Sequence, residues 1–199
     1  SSAILKNQGV NILLNLFAGS LVNAARGIAV QVHAAVLSFC NSFTTALNPQ
    51  ITKKFAADDR EYAIKLSFLG ARLSFYLMTL ISLPLLIETK QILILWLNYF
   101  PDYTIIFVRL ILLDVLIESL SLTMITLMLA TGRIRNYQLL VGGFQLLNFP
   151  LSFLFLHNGY GPEYAFFVSI FLSICCLFLR VYMLRQMIDF PASKFITNV

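Results

Sequence analysis

Leu21 to Phe55 reads LVNAARGIAVQVHAAVLSFCNSFTTALNPQITKKF, and one long helix through it sets the arrangement of everything around it. At helical spacing one face carries Asn23, Gly27, Gln31, Ala34, Ser38, Asn41, Thr45, Asn48 and Thr52, in steps of three or four. The opposite face carries Val22, Ala25, Ile28, Val32, Val36, Phe39 and Phe43. In a chain this apolar, a stripe of amides and hydroxyls is expected not to face lipid, because each unmet polar group in hydrocarbon costs free energy. Such a stripe lines water or packs against another helix. Small residues such as Ala25, Gly27, Ala29 and Ala34 also suit close packing, and the two roles can divide one helix between them.

Of the 199 residues, 59% are hydrophobic and only 12% are charged, with a mean hydropathy of +0.82. An ordinary soluble domain is about a quarter charged. Apolar spans alternating with charged loops therefore read as an all-α integral membrane protein that crosses the bilayer several times. The net charge of +5 is no nucleic-acid signature, because the basic residues fall in the loops between spans. Cys40, Cys175 and Cys176 all sit in apolar stretches and form neither a zinc pattern nor a disulfide framework. No phosphate-binding loop, dinucleotide-binding glycine pattern or metalloprotease motif is present, and no enzyme, cofactor or metal centre is expected. The chain opens Ser1-Ser2-Ala3 without a methionine, which is read as the start of a fragment.

Six helices are expected, over residues 2–16, 21–52, 61–87, 103–130, 137–156 and 163–187, with an interfacial tail over 190–199. Phe17-Ala18-Gly19-Ser20 is the first turn, and Pro49 is expected to kink or end the second helix. Glu88 to Phe100 reads as a short amphipathic stretch, with Trp96 and Tyr99 at the interface. Asp102 is available to cap the fourth helix, and Thr131-Gly132 closes it. Pro84 and Pro150 are hinge candidates. Eleven basic residues fall at one set of helix ends, and only Arg26, Lys90 and Arg109 fall toward the other. By the excess of positive charge on cytoplasmic loops, both termini of this segment are expected in the cytoplasm.

Several ionisable residues lie deeper than charges normally do. Arg26 and His33 are on the second helix, two turns apart. Arg26 either snorkels to the outer surface or faces a cavity, where a guanidinium can take an anionic group through two hydrogen bonds. Asp114 and Glu118, four residues apart on the fourth helix, share a face that Ser121 continues. Two such carboxylates in a low-dielectric setting call for a shared proton or for arginines from neighbouring helices. Arg72 and Arg180 lie toward cytoplasmic ends, where snorkelling to headgroups is the default.

VNAARGIAVQV (Val22–Val32), FTTALNPQITKKFA (Phe43–Ala56), IFVRLILLDVLIESLS (Ile106–Ser121) and LMLATGRIRNYQLLVGG (Leu127–Gly143) together resemble the polysaccharide-biosynthesis (Wzx-type) O-antigen flippases. These belong to the exporter superfamily that also holds MATE transporters and the lipid II flippase. The resemblance implies one six-helix lobe, the second of two facing each other across a central cavity, with an N-terminal lobe outside this chain. It implies transfer of an undecaprenyl-pyrophosphate-linked oligosaccharide across the bacterial inner membrane, with cavity arginines receiving the pyrophosphate. Arg26 best matches that role, with Arg72 and Arg109 behind it. Gln31 and Asn41 of the stripe complete the expected substrate-contacting set. Asp114 and Glu118 are the expected coupling site for protons or sodium, on their depth alone. The expected partners are the glycolipid, membrane lipids and the other lobe.

Other readings compete. A MATE-like drug antiporter of the same fold suits a more acidic cavity. A membrane-embedded glycosyl- or acyltransferase needs a catalytic group beside a sizeable loop, and the loops here are short. A passive structural subunit gives no reason for the carboxylate pair.

Overall fold

The computed structural model describes residues 2–188 and 190, with side chains from residue 8 onward. Among the described residues the fold is wholly helical: α1 (Ser2–Ala56), α2 (Arg60–Ile87), α3 (Thr89–Leu97), α4 (Thr104–Ala130), α5 (Ile134–Leu146), α6 (Asn148–His157) and α7 (Tyr164–Ile188). Four helical segments are long and apolar enough to cross a membrane: Gln8–Ala56, Arg60–Ile87, Ile134–His157 and Tyr164–Ile188. The six separate helices expected from sequence are thus not what is found. An all-α chain with several helices long and apolar enough to cross a membrane is, among the described residues.

The first expected turn survives in altered form. α1 carries helical hydrogen bonding through it, and the only non-helical residue is Gly19, at φ 86° and ψ 173°. The side chain of Arg26 reaches Asn11 across this point, at 3.2 Å. Along a straight helix those residues would be about 22 Å apart. α1 is therefore a hairpin, with a short arm before Gly19 and a long arm after it. Gly19 occupies a backbone region open almost solely to glycine. Gly19→Ala is expected to destabilise the folded chain by about 1–3 kcal/mol, read as a lower thermal midpoint in detergent; an unchanged midpoint would mean the bend is made elsewhere.

Pro49 does not end the long arm, which runs on to Ala56 and closes in Lys53 and Lys54. Pro150 does act. α5 and α6 are the single expected helix over 137–156, begun earlier and interrupted at Leu147. Proline has no N–H to give the carbonyl four residues back, so the bond to Leu146 is missing at that point. The expected amphipathic stretch is α3, and its Trp96 is exposed. Asp102 is not the cap of α4. Tyr103 holds that position at φ 68° with no side-chain cap, while Thr131 and Gly132 (φ 72°) close the helix as expected. Phe190, the start of the expected tail, is buried edge-on against Phe68 at 5.0 Å. Residues 191–199 lie outside the described residues.

α4 is the central helix, packed against α1, α2, α3, α5 and α7. It packs on α2, whose buried face is Ala63, Ser67, Gly70, Ala71, Ser74, Met78 and Ser82. Small side chains let the two backbones approach. Thr123 of α4 donates to the Ser67 carbonyl at 2.9 Å, and Thr126 donates to Asn48 of α1 at 2.7 Å. α4 and α7 run in the same direction. Phe107 stacks on Phe166 near their starts at 4.4 Å, and Met124 and Leu127 share a cluster with Val181 and Leu184 near their ends.

The apolar core comes in two parts. One gathers Leu14, Ala25, Met78, Phe107, Leu112 and Val115; the other gathers Ile51, Ala71, Met124, Leu127, Tyr137 and Leu184. Between them α4 presents Glu118, Ser119, Ser121 and Thr123. That polar gap positions the site.

Candidate functional site

A cavity of about 150 Å³ occupies the gap. The long arm of α1 contributes Arg26 and His33, α4 contributes Asp114, Glu118 and Ser121, and α5 contributes Gln145. α7 adds Ser169, Ser173, Cys176 and Arg180. Asp114 and Glu118 sit 10 and 14 residues into the 27-residue α4, close to its middle. His33 Nε2 lies 3.2 Å from Glu118 Oε2, joining α1 to α4 at that depth. Their side chains remain 25% and 42% accessible, so the pair forms a partly open mouth rather than a sealed contact. Arg26 is buried at 8% and Arg180 at 7%. Two guanidinium groups from α1 and α7, which both pack on α4, thus share one space with two carboxylates, the arrangement such carboxylates call for in a low-dielectric setting.

The sequence-based set divides. Arg26, Asp114 and Glu118 come together, with His33 beside them. Arg72 is half-buried on α2 and away from the cavity. Arg109 is exposed on α4 and donates from Nε to Thr89 Oγ1 at 3.2 Å. Gln31 and Asn41 are exposed on the adjacent face of α1, not in the cavity. Arg180 was expected at the headgroups and is instead buried in the wall. A signal existed for it: Ser169, Ser173, Cys176 and Arg180 recur at steps of four, three and four, a polar seam in an otherwise apolar helix.

The polar stripe of α1 faces out of the bundle: Gly27, Gln31, Ala34, Ser38, Asn41, Thr45 and Thr52 are all exposed. Its hydroxyls are met by their own helix. Ser38 donates to the Ala35 carbonyl at 2.7 Å, Thr45 to Asn41 at 2.6 Å and Thr52 to Asn48 at 3.0 Å. That lowers the cost of facing an apolar medium. The Gln31 and Asn41 side chains have no such relief among the described residues.

Comparison with known proteins finds no match for this chain, whether among family models, curated proteins or solved structures.

Proposed function

We propose that this chain is one lobe of a flippase that carries an undecaprenyl-pyrophosphate-linked oligosaccharide across the bacterial inner membrane by alternating access. One observation carries the reading: a charged cavity at mid-depth, between two apolar clusters, in a chain whose helices are built to cross a bilayer. Ionisable groups at such depth are costly, and they mark transport paths and proton relays. The sequence resemblance supplies the cargo. Counting both arms of α1 and adding α4 gives six crossings, with Lys53, Lys54, Arg60, Arg133, Arg135 and Arg185 gathered at one end. That end is the cytoplasmic one by charge, and both termini of the segment lie there.

Size supports one surface over another for the glycan. At about 30 Å³ per water, the cavity has room for about five water molecules and none for a sugar repeat. The glycolipid therefore passes along the exposed stripe, with Gln31 and Asn41 presented to it and a second lobe opposite. The cavity behind the stripe handles charge. Asp114→Asn and Glu118→Gln are each expected to lower surface glycan by about tenfold or more, equal to about 1.4 kcal/mol in the transport barrier. The measurement is surface glycan per unit of full-length protein in the membranes of cells that depend on it, with lipid-linked precursor assayed inside. Normal glycan in both variants would sink the coupling role.

A MATE-like cation antiporter is the second reading, favoured by the same two carboxylates. Altered sensitivity to cationic drugs in these variants, with unchanged surface glycan, would decide for it. A membrane-embedded transferase has no catalytic constellation at a loop to support it among the described residues.

A further inference from the structure

Three polar atoms around the cavity are buried without a hydrogen-bond partner among the described residues: Asp114 Oδ1, Ser121 Oγ and Arg180 Nε. All three belong to residues of the same wall. Asp114 and Arg180 carry opposite charge, yet no ion pair within 4.0 Å joins them among the described residues. The stacking of Phe107 on Phe166 sets the register of the two parallel helices. Asp114 is then level with Ser173, and Arg180 with Ser121. The backbones at Asp114 and Arg180 are separated by seven residues of rise, about 10 Å.

An orphaned donor and an orphaned acceptor facing one space each need a partner, because buried polar groups are seldom left without one. The space has the required size and chemistry. A cavity holds water where it is polar and offers each molecule two to four partners. Ser121, Ser173 and Gln145 supply hydroxyls and an amide along the gap between the two charges. At about 2.8 Å per hydrogen bond, two or three bridging waters cover about 10 Å, and the volume has room for them. We infer that the cavity is a water-filled compartment in which Asp114 and Arg180 are paired through bridging water, and that the His33–Glu118 pair is its mouth. Arg180 is then a positioning residue: it holds the charge of Asp114 inside the bundle without touching it. The inference concerns the compartment and is independent of what the protein carries.

The chain contains its own reporters. Cys176 lines the cavity, while its neighbour Cys175 points round the helix away from it. Thiols react with methanethiosulfonates as thiolates, which form in water and not in hydrocarbon. The unaltered full-length protein in its native membrane is treated with methyl methanethiosulfonate, and modification at each cysteine is followed by mass spectrometry. Modification of Cys176 about tenfold or more faster than Cys175 is expected; equal rates, or Cys175 faster, would mean a dry cavity and overturn the inference. The pairing is read separately by membrane abundance. Arg180→Met and Asp114→Asn are each expected to lower it severalfold, and the double variant to recover most of the loss. A double variant no better than the worse single one would overturn the pairing. Neither measurement reads transport, so failure here leaves the proposed function standing, and failure of that function leaves the compartment standing.

Discussion

Gly70→Ala is expected to lower the thermal midpoint of the detergent-solubilised protein by roughly 5–10 °C, corresponding to about 2–3 kcal/mol of overpacking in a chain of this size. A Cβ at Gly70 would stand 2.5 Å from Cγ2 of Thr123 and 3.0 Å from Cδ1 of Leu47. Thr123 cannot swing aside cheaply, because its hydroxyl is held on the Ser67 carbonyl. The added methyl thus has to separate α2 from α4, the helix on which the cavity is built. Gly70→Val is expected to be worse, with little folded protein recovered. Gly27→Ala is the control: Gly27 is exposed with nothing within 4 Å of a new Cβ, and alanine suits a helix interior better by about 1 kcal/mol. A Gly70→Ala protein as stable as the parent would show that the two backbones are not in close contact.

Arg26→Ala is expected to reduce surface glycan by about a hundredfold, with precursor accumulating inside the cell. Arg26 bonds to Asn11 across the α1 hairpin and faces the space that Asp114 and Glu118 share. Removing it loosens the hairpin and leaves two carboxylates with Arg180 as the remaining guanidinium of the wall. Breaking a buried charge arrangement on one side costs about 3–5 kcal/mol where water is excluded, and less where water enters. Arg26→Lys keeps the charge but not the planar fork, and is expected to retain a tenth or more of the activity. Glycan is scored per unit of membrane-inserted protein, which separates transport from folding. Normal glycan in Arg26→Ala would place this residue outside the transport cycle and leave it a hairpin clasp.

The polar stripe and the charged loops were legible because they are local patterns. A helix places residues three and four apart on one face, so Gln31, Asn41 and Thr45 could be put on a common surface from spacing alone. Depth was legible too: Asp114 and Glu118 stand out in α4 by their distance from any loop. The Gly19 turn and the closure of α4 by Thr131 and Gly132 followed from glycine chemistry. Of the two expectations for Pro49, a kink or an end, the end is not found: a proline removes one bond and crowds one carbonyl, and the helix continues past it to Ala56.

The sequence by itself determined a helical chain with helices apolar enough for a membrane, the faces of those helices and the distance of its charges from their ends, since each depends on residues within a few turns. Only the tertiary structure decided which faces meet. It turned the α1 stripe outward, set the small face of α2 against α4, left Arg72 and Arg109 outside the cavity, and brought Arg180 from an assumed headgroup position into a wall shared with Asp114. Near a helix end an arginine can snorkel or be buried, and the choice rests on what the adjacent helix offers. For Arg180 that helix is α4, fifty-nine residues back in the chain at the same level, which no local pattern could specify.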